Sequence, residues 1–87
     1  MDLSQIRQEI DAIDAQLVKL LCQRMALSGQ VANYKKANNL PILVPAREQA
    51  ILQSIGEQAG PEMAPHVQRL YETLFAVSRD YQAEVMK

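Results

Sequence analysis

The sequence predicts an all-α protein with three helices per chain, the first of them very long. Three observations carry that expectation. Apolar residues near the start recur in alternating steps of three and four: Leu3, Ile6, Ile10, Ile13, Leu17, Leu20, then Leu27, Val31 and Tyr34. That is the spacing of a helix seam. Strands are disfavoured, because glycine is scarce, aromatics make up 5% of the chain, and no stretch alternates with a period of two. All four prolines fall where the apolar patterns break, between stretches rich in Ala, Leu, Gln, Glu, Lys and Arg.

The first helix is expected from about Leu3, capped by Asp2 or Ser4, to about Ala37, where Asn38-Asn39 marks a stop. About 34 residues at roughly 1.5 Å each make a rod of about 50 Å. A compact chain of 87 residues has a radius of gyration of only about 12 Å. The rod therefore outruns any compact monomer while carrying an apolar seam along its whole length. The simplest cover is a second copy of the same chain, so a homodimer is expected. The step after Leu20 lands on Arg24, a charge where the seam calls for Leu. A lone seam charge can set register or reach solvent, so it does not by itself mark a site.

Pro41 stops the first helix and biases Leu40 to an extended conformation, and Pro45 suits the first turn of a second helix. That helix is expected from 45 to about 58, stopped by Gly60, with Ile51, Leu52, Ile55 and Ala59 facing inward. Pro61 and Pro65 bracket the start of a third, which can begin at either and is placed from about 61 to 86, with Val67, Leu70, Tyr71, Leu74, Val77, Tyr81 and Val85 on its apolar face. The whole chain, 1–87, reads as one small domain.

Composition narrows the function. The net charge of −1 lacks the basic excess of a nucleic-acid binder, so any anion site must be a local cluster. Cys22 is the only cysteine, which rules out an intrachain disulfide and a cysteine-based zinc site; it lies off the seam and reads as a small packing residue. There is no phosphate loop, dinucleotide fingerprint or metal motif, and no cofactor is expected. No secretory leader and no run of about 18 apolar residues is present, so a soluble, cytoplasmic protein without membrane contact is expected. His66 reads as a surface residue. Tyr34, Tyr71 and Tyr81 read as core or interface.

Polar residues interrupt the apolar faces at Arg24, Glu48, Ser78 and Gln82. Lys35 joins them, because it lies eleven residues after Arg24, about three whole turns, and points the same way. Burial of such groups costs free energy unless they are paired. Each alone has a structural reading. Ser78 can bond to the preceding turn, Gln82 can lie near a frayed end, and Glu48 can face solvent at a helix start. Together, Arg24, Lys35 and Arg47 against Glu48 point to a pocket for a small anion inside a helical bundle.

Arg7 before Ile10-Asp11-Ala12-Ile13-Asp14, then Leu20 to Arg24, Val31 to Lys35, Pro41-Ile42 and Arg47-Glu48 resemble the all-α chorismate mutase family. Ser78 and Gln82 extend the likeness into the third helix. The resemblance implies three helices per chain intertwined in a homodimer with two sites. It implies rearrangement of chorismate to prephenate, a pericyclic step toward phenylalanine and tyrosine that needs no cofactor or nucleophile. Such a reaction needs restraint of a dicarboxylate in a compact conformation and donors at the ether oxygen, where negative charge grows.

By position, the resemblance implies that Arg24 and Arg7 clamp the carboxylates and that Lys35 and Gln82 donate to the ether oxygen. Glu48 would accept from the substrate hydroxyl, with Arg47 and Ser78 supporting. Arg7 lies 17 residues from Arg24, roughly 25 Å along the helix and off its face, which sets it apart from its own chain's site; the resemblance implies that it serves the partner's, which antiparallel long helices permit. Val44 stands where some relatives carry an acidic residue, leaving its backbone to meet substrate. No room for a fused regulatory domain is expected, although association with another shikimate-pathway enzyme is compatible with the family. Two other readings are an isochorismate-pyruvate lyase, against which Ser78 and Gln82 speak, and a non-catalytic helical dimer regulating a partner enzyme. The charged and polar side chains at Arg7, Arg24, Lys35, Glu48 and Gln82 argue against the last, because a purely structural seam gains stability from apolar residues.

Overall fold

A computed structural model describes residues 1–87 as three helices without strands: α1 (Leu3–Ala37), α2 (Pro45–Ala59) and α3 (Ala64–Val85). Helix α1 begins with a capping box. Asp2 Oδ1 accepts from the Gln5 amide at 2.8 Å, and Gln5 Oε1 accepts from the Asp2 amide at 2.9 Å. Two of the donors that every helix start leaves unpaired are thereby satisfied. The helix ends in a left-handed turn at Asn39 (φ 54°). There the Leu40 amide donates to Lys35 O at 2.8 Å and the Asn39 amide to Lys36 O at 3.4 Å. This closing pattern satisfies carbonyls of the last turn and sends the chain back along the helix.

Helix α3 packs against both α1 and α2, which do not pack on each other. Only the second half of α1 takes part. Ser28, Gly29 and Ala32 are buried there, whereas every residue from Leu3 to Gln23 is exposed. The molecule is therefore elongated, 53 × 26 × 15 Å with a radius of gyration of 15.8 Å, and its long dimension matches the length of α1. Gly29 is where α1 meets α3 closely: a Cβ there would lie 3.3 Å from the Tyr81 ring. The buried apolar residues are Ala32, Ile55 and Phe75, one from each helix.

Four expectations need correction. Helix α2 runs one residue further, to Ala59, and closes on Gly60 (φ 85°). Helix α3 starts at Ala64 rather than 61, after a turn over 61–63. A start at 61 would put Pro65 deep enough to lose a helical hydrogen bond; starting at 64 leaves its missing N–H among donors that are unpaired anyway. Part of the apolar face expected of α3 points away from the chain, although Ser78 and Gln82 lie on the inward face as expected. Phe75, Ser78 and Gln82 are buried, while Leu70 and Val77 face outward at 72% and 48% exposure. Cys22 is exposed and packs no core in this chain. No helix is long and apolar enough to cross a membrane.

Candidate active site

One cavity of about 450 Å³ opens between the three helices. Helix α1 supplies Arg24, Ser28 and Lys35 to its wall, a stripe at steps of four and seven that lies on one helix face. Helix α2 supplies Arg47 and Glu48 from its first turn, and α3 supplies Ser78, Arg79 and Gln82 from its last two turns. Val44 and Ile42 close the side nearest the α1–α2 connection, and Phe75 lines the inner wall.

The polar groups form a connected chain. Ser28 Oγ lies 3.0 Å from Ser78 Oγ, and Gln82 Nε2 donates to Ser78 Oγ at 3.2 Å. Lys35 Nζ donates to Gln82 Oε1 at 3.4 Å and to the Ile42 carbonyl at 2.8 Å. Ser28, Ser78 and Gln82 are all buried, with no buried side-chain polar atom left unpartnered. An ammonium has three protons and these two partners use two, so one donor remains for a ligand. The second N–H of Gln82 is free in the same way.

Charge is strongly biased. Arg24, Lys35, Arg47 and Arg79 face a single carboxylate, Glu48, a formal excess of three positive charges in a protein whose net charge is −1. Glu48 Oε2 accepts from Arg79 Nη1, the one ion pair of the chain. The Arg24 guanidinium stands 5.9 Å from the Tyr71 ring centroid, a cation–π geometry that steadies it without a carboxylate. Three cations thus remain unneutralised around a concave, partly apolar space. That arrangement suits a small organic dianion with apolar bulk between its charges.

Of the eight residues nominated by sequence, Arg24, Lys35, Val44, Arg47, Glu48, Ser78 and Gln82 line this cavity. Arg7 does not; it is exposed on the free half of α1, about 25 Å along the helix from Arg24. Three lining residues escaped the sequence reading: Phe75, and the polar Ser28 and Arg79. Ser28 lies four residues after Arg24 and seven before Lys35, so the stripe that linked those two already contained it. Arg79 sits beside Ser78 and three residues before Gln82, but the periodicity of α3 does not mark it, because its partner Glu48 lies on α2.

Residues 6–83 match the model of a single family, described as chorismate mutase type II. The chain belongs to that family. It is 41% identical over 54 residues, 62% of its length, to the "Bifunctional chorismate mutase/prephenate dehydratase" of Aquifex aeolicus. It is 42% identical over 52 residues, 60% of its length, to the "T-protein" of Haemophilus influenzae. Those matches cover only 15% and 14% of the two relatives, so the chain spans about one-seventh of their length. A "Chorismate mutase" of Methanocaldococcus jannaschii is 40% identical over 53 residues, which are 61% of this chain and 54% of that one. No solved structure matches the chain significantly.

Proposed function

We propose that this member of the chorismate mutase type II family converts chorismate to prephenate without a cofactor, as a cytoplasmic homodimer in aromatic amino acid biosynthesis. The observation that carries this reading is the gathering of Arg24, Lys35, Arg47, Glu48, Ser78 and Gln82 around one cavity of about 450 Å³, with a donor of Lys35 unspent.

The rearrangement breaks an ether C–O bond and forms a C–C bond within one molecule. The substrate must be folded so that the two carbons approach, and burial between Val31, Ile51 and Phe75 limits the conformations it can adopt. Arg24 and Arg47 pair with carboxylate. Lys35 Nζ and Gln82 Nε2 donate to the ether oxygen, where negative charge grows as the bond lengthens. These donors are fixed in advance by Ile42, Ser78 and Ser28, so little reorganisation accompanies the reaction, and they favour the transition state over the ground state. Glu48 accepts from the substrate hydroxyl. Val44 contributes an apolar side chain to the wall.

Arg7 belongs to the other copy's site. Two α1 helices running antiparallel would cover each other's apolar residues, intertwine the chains and carry Arg7 to the partner's cavity. The exposure of Ile6, Ile10, Ile13 and Leu17, at 42% to 56%, supports such a partner. Relatives named for a second enzyme activity support association with another enzyme of the pathway. The test is direct: purified protein is given chorismate, its loss is followed by absorbance, and the product is identified. Prephenate is expected. Absence of turnover would overturn the reading, with pyruvate release from isochorismate then distinguishing a lyase.

A further inference from the structure

Glu48 is the single carboxylate in a cavity with four cations. Arg47 precedes it in the chain, and Arg24 and Lys35 line the same cavity from α1. It pairs with none of them. Arg79 reaches it across the α2–α3 packing and takes its Oε2, while Oε1 has no protein partner. Both side chains are partly withdrawn from water, Arg79 at 33% exposure and Glu48 at 24%. A carboxylate among several guanidinium and ammonium groups pairs with whichever is free, and a pair with Lys35 or Arg47 would neutralise a charge needed for an anionic ligand.

We infer that Arg79 is a positioning residue of the site, acting through Glu48. It holds Glu48 by one oxygen, keeps the other available to a ligand hydroxyl, and keeps the carboxylate away from Arg24, Lys35 and Arg47. This inference rests on the chorismate mutase reading. It makes Arg79 necessary for hydroxyl recognition without requiring that it touch the ligand.

The test is a double-mutant cycle on kcat/KM for chorismate, using Arg79→Gln, Glu48→Gln and the double variant. Arg79→Gln is expected to lower kcat/KM about tenfold, the low end for a hydrogen bond to a charged group that is partly exposed. In the Glu48→Gln background the same change is expected to cost less than about twofold, because the carboxylate it steers is gone. Arg79→Lys, which keeps the charge, is expected to recover part of the loss, and it replaces the Gln variant in the cycle if that variant does not fold. Equal losses in both backgrounds would overturn the inference by showing that Arg79 acts on the ligand directly. Unchanged kcat/KM in folded Arg79→Gln would overturn it too. Those results leave wild-type turnover intact, whereas a wild-type protein inert toward chorismate removes the reading and the inference together.

Discussion

The two halves of α1 share one apolar period and one unbroken backbone, yet differ in what surrounds them. From Leu3 to Gln23 the seam is all Leu and Ile and lies open to solvent; from Arg24 to Ala37 the helix packs on α3. The packed half is the one that carries Arg24, Ser28 and Lys35 on its inward stripe. The bare half carries its charges elsewhere and keeps the seam apolar. The stripe that packs on α3 thus carries polar residues that line the cavity, whereas the exposed seam of the first half is uninterrupted. Leu27, Val31 and Tyr34 continue the seam into the packed half and are exposed there too, at 45% to 65%, so what α3 covers is the neighbouring stripe through Ser28, Gly29 and Ala32.

Four experiments sharpen or break that contrast. Lys35→Ala, in the packed half, is expected to lower kcat by about three orders of magnitude or more, beyond the loss typical of one neutral donor at a developing anion. Circular dichroism should show the helices intact, and near-normal activity in the folded variant would refute the assigned role. Ile13→Asp, in the bare half, is expected to dissociate the proposed dimer, with loss of activity in step. Sedimentation that reports a persistent dimer would break the contrast at its root. Mixing inactive Arg7→Ala and Arg24→Ala proteins joins the two halves in one experiment. After subunit exchange, about half of the dimers are hybrid with one intact site each, so recovery of about a quarter of wild-type activity is expected. No recovery with exchange verified would remove Arg7 from the partner's site. The smallest effect is expected at Ser78→Ala, which strips Ser28 and Gln82 of a buried partner: a loss of about 1–3 kcal/mol of stability, read from denaturant unfolding.

Much of this was legible before any coordinates. The period of α1 fixed its length to within a residue, because a 35-residue helix with capping signals at both ends has little competition. The eleven-residue step from Arg24 to Lys35 brought both to one cavity, since helical geometry is rigid over three turns. The face of α3 was less legible. Leu70 and Val77 are as apolar as a core demands but point outward, and the inward stripe runs through Phe75, Ser78 and Gln82, two of them polar. A reading that ranks faces by apolarity misjudges a helix whose inner face is a binding wall and whose outer face awaits another surface. Arg79 was hidden for a related reason. Its partner, Glu48, lies 31 residues away on another helix, and no periodicity within one helix reports a pairing between two.

The turn that ends α1 has a mechanical meaning. Lys35 is held to the following segment twice, through its carbonyl to the Leu40 amide and through its ammonium to the Ile42 carbonyl. The aim of the side chain and the seating of residues 38–44 are therefore one degree of freedom. Whatever lifts that segment releases the ammonium from its bearing, and whatever engages the ammonium from the cavity side tightens the segment down. Occupancy of the cavity should then be readable as slower amide exchange across residues 38–44, including those that, unlike Ile42 and Val44, do not line it.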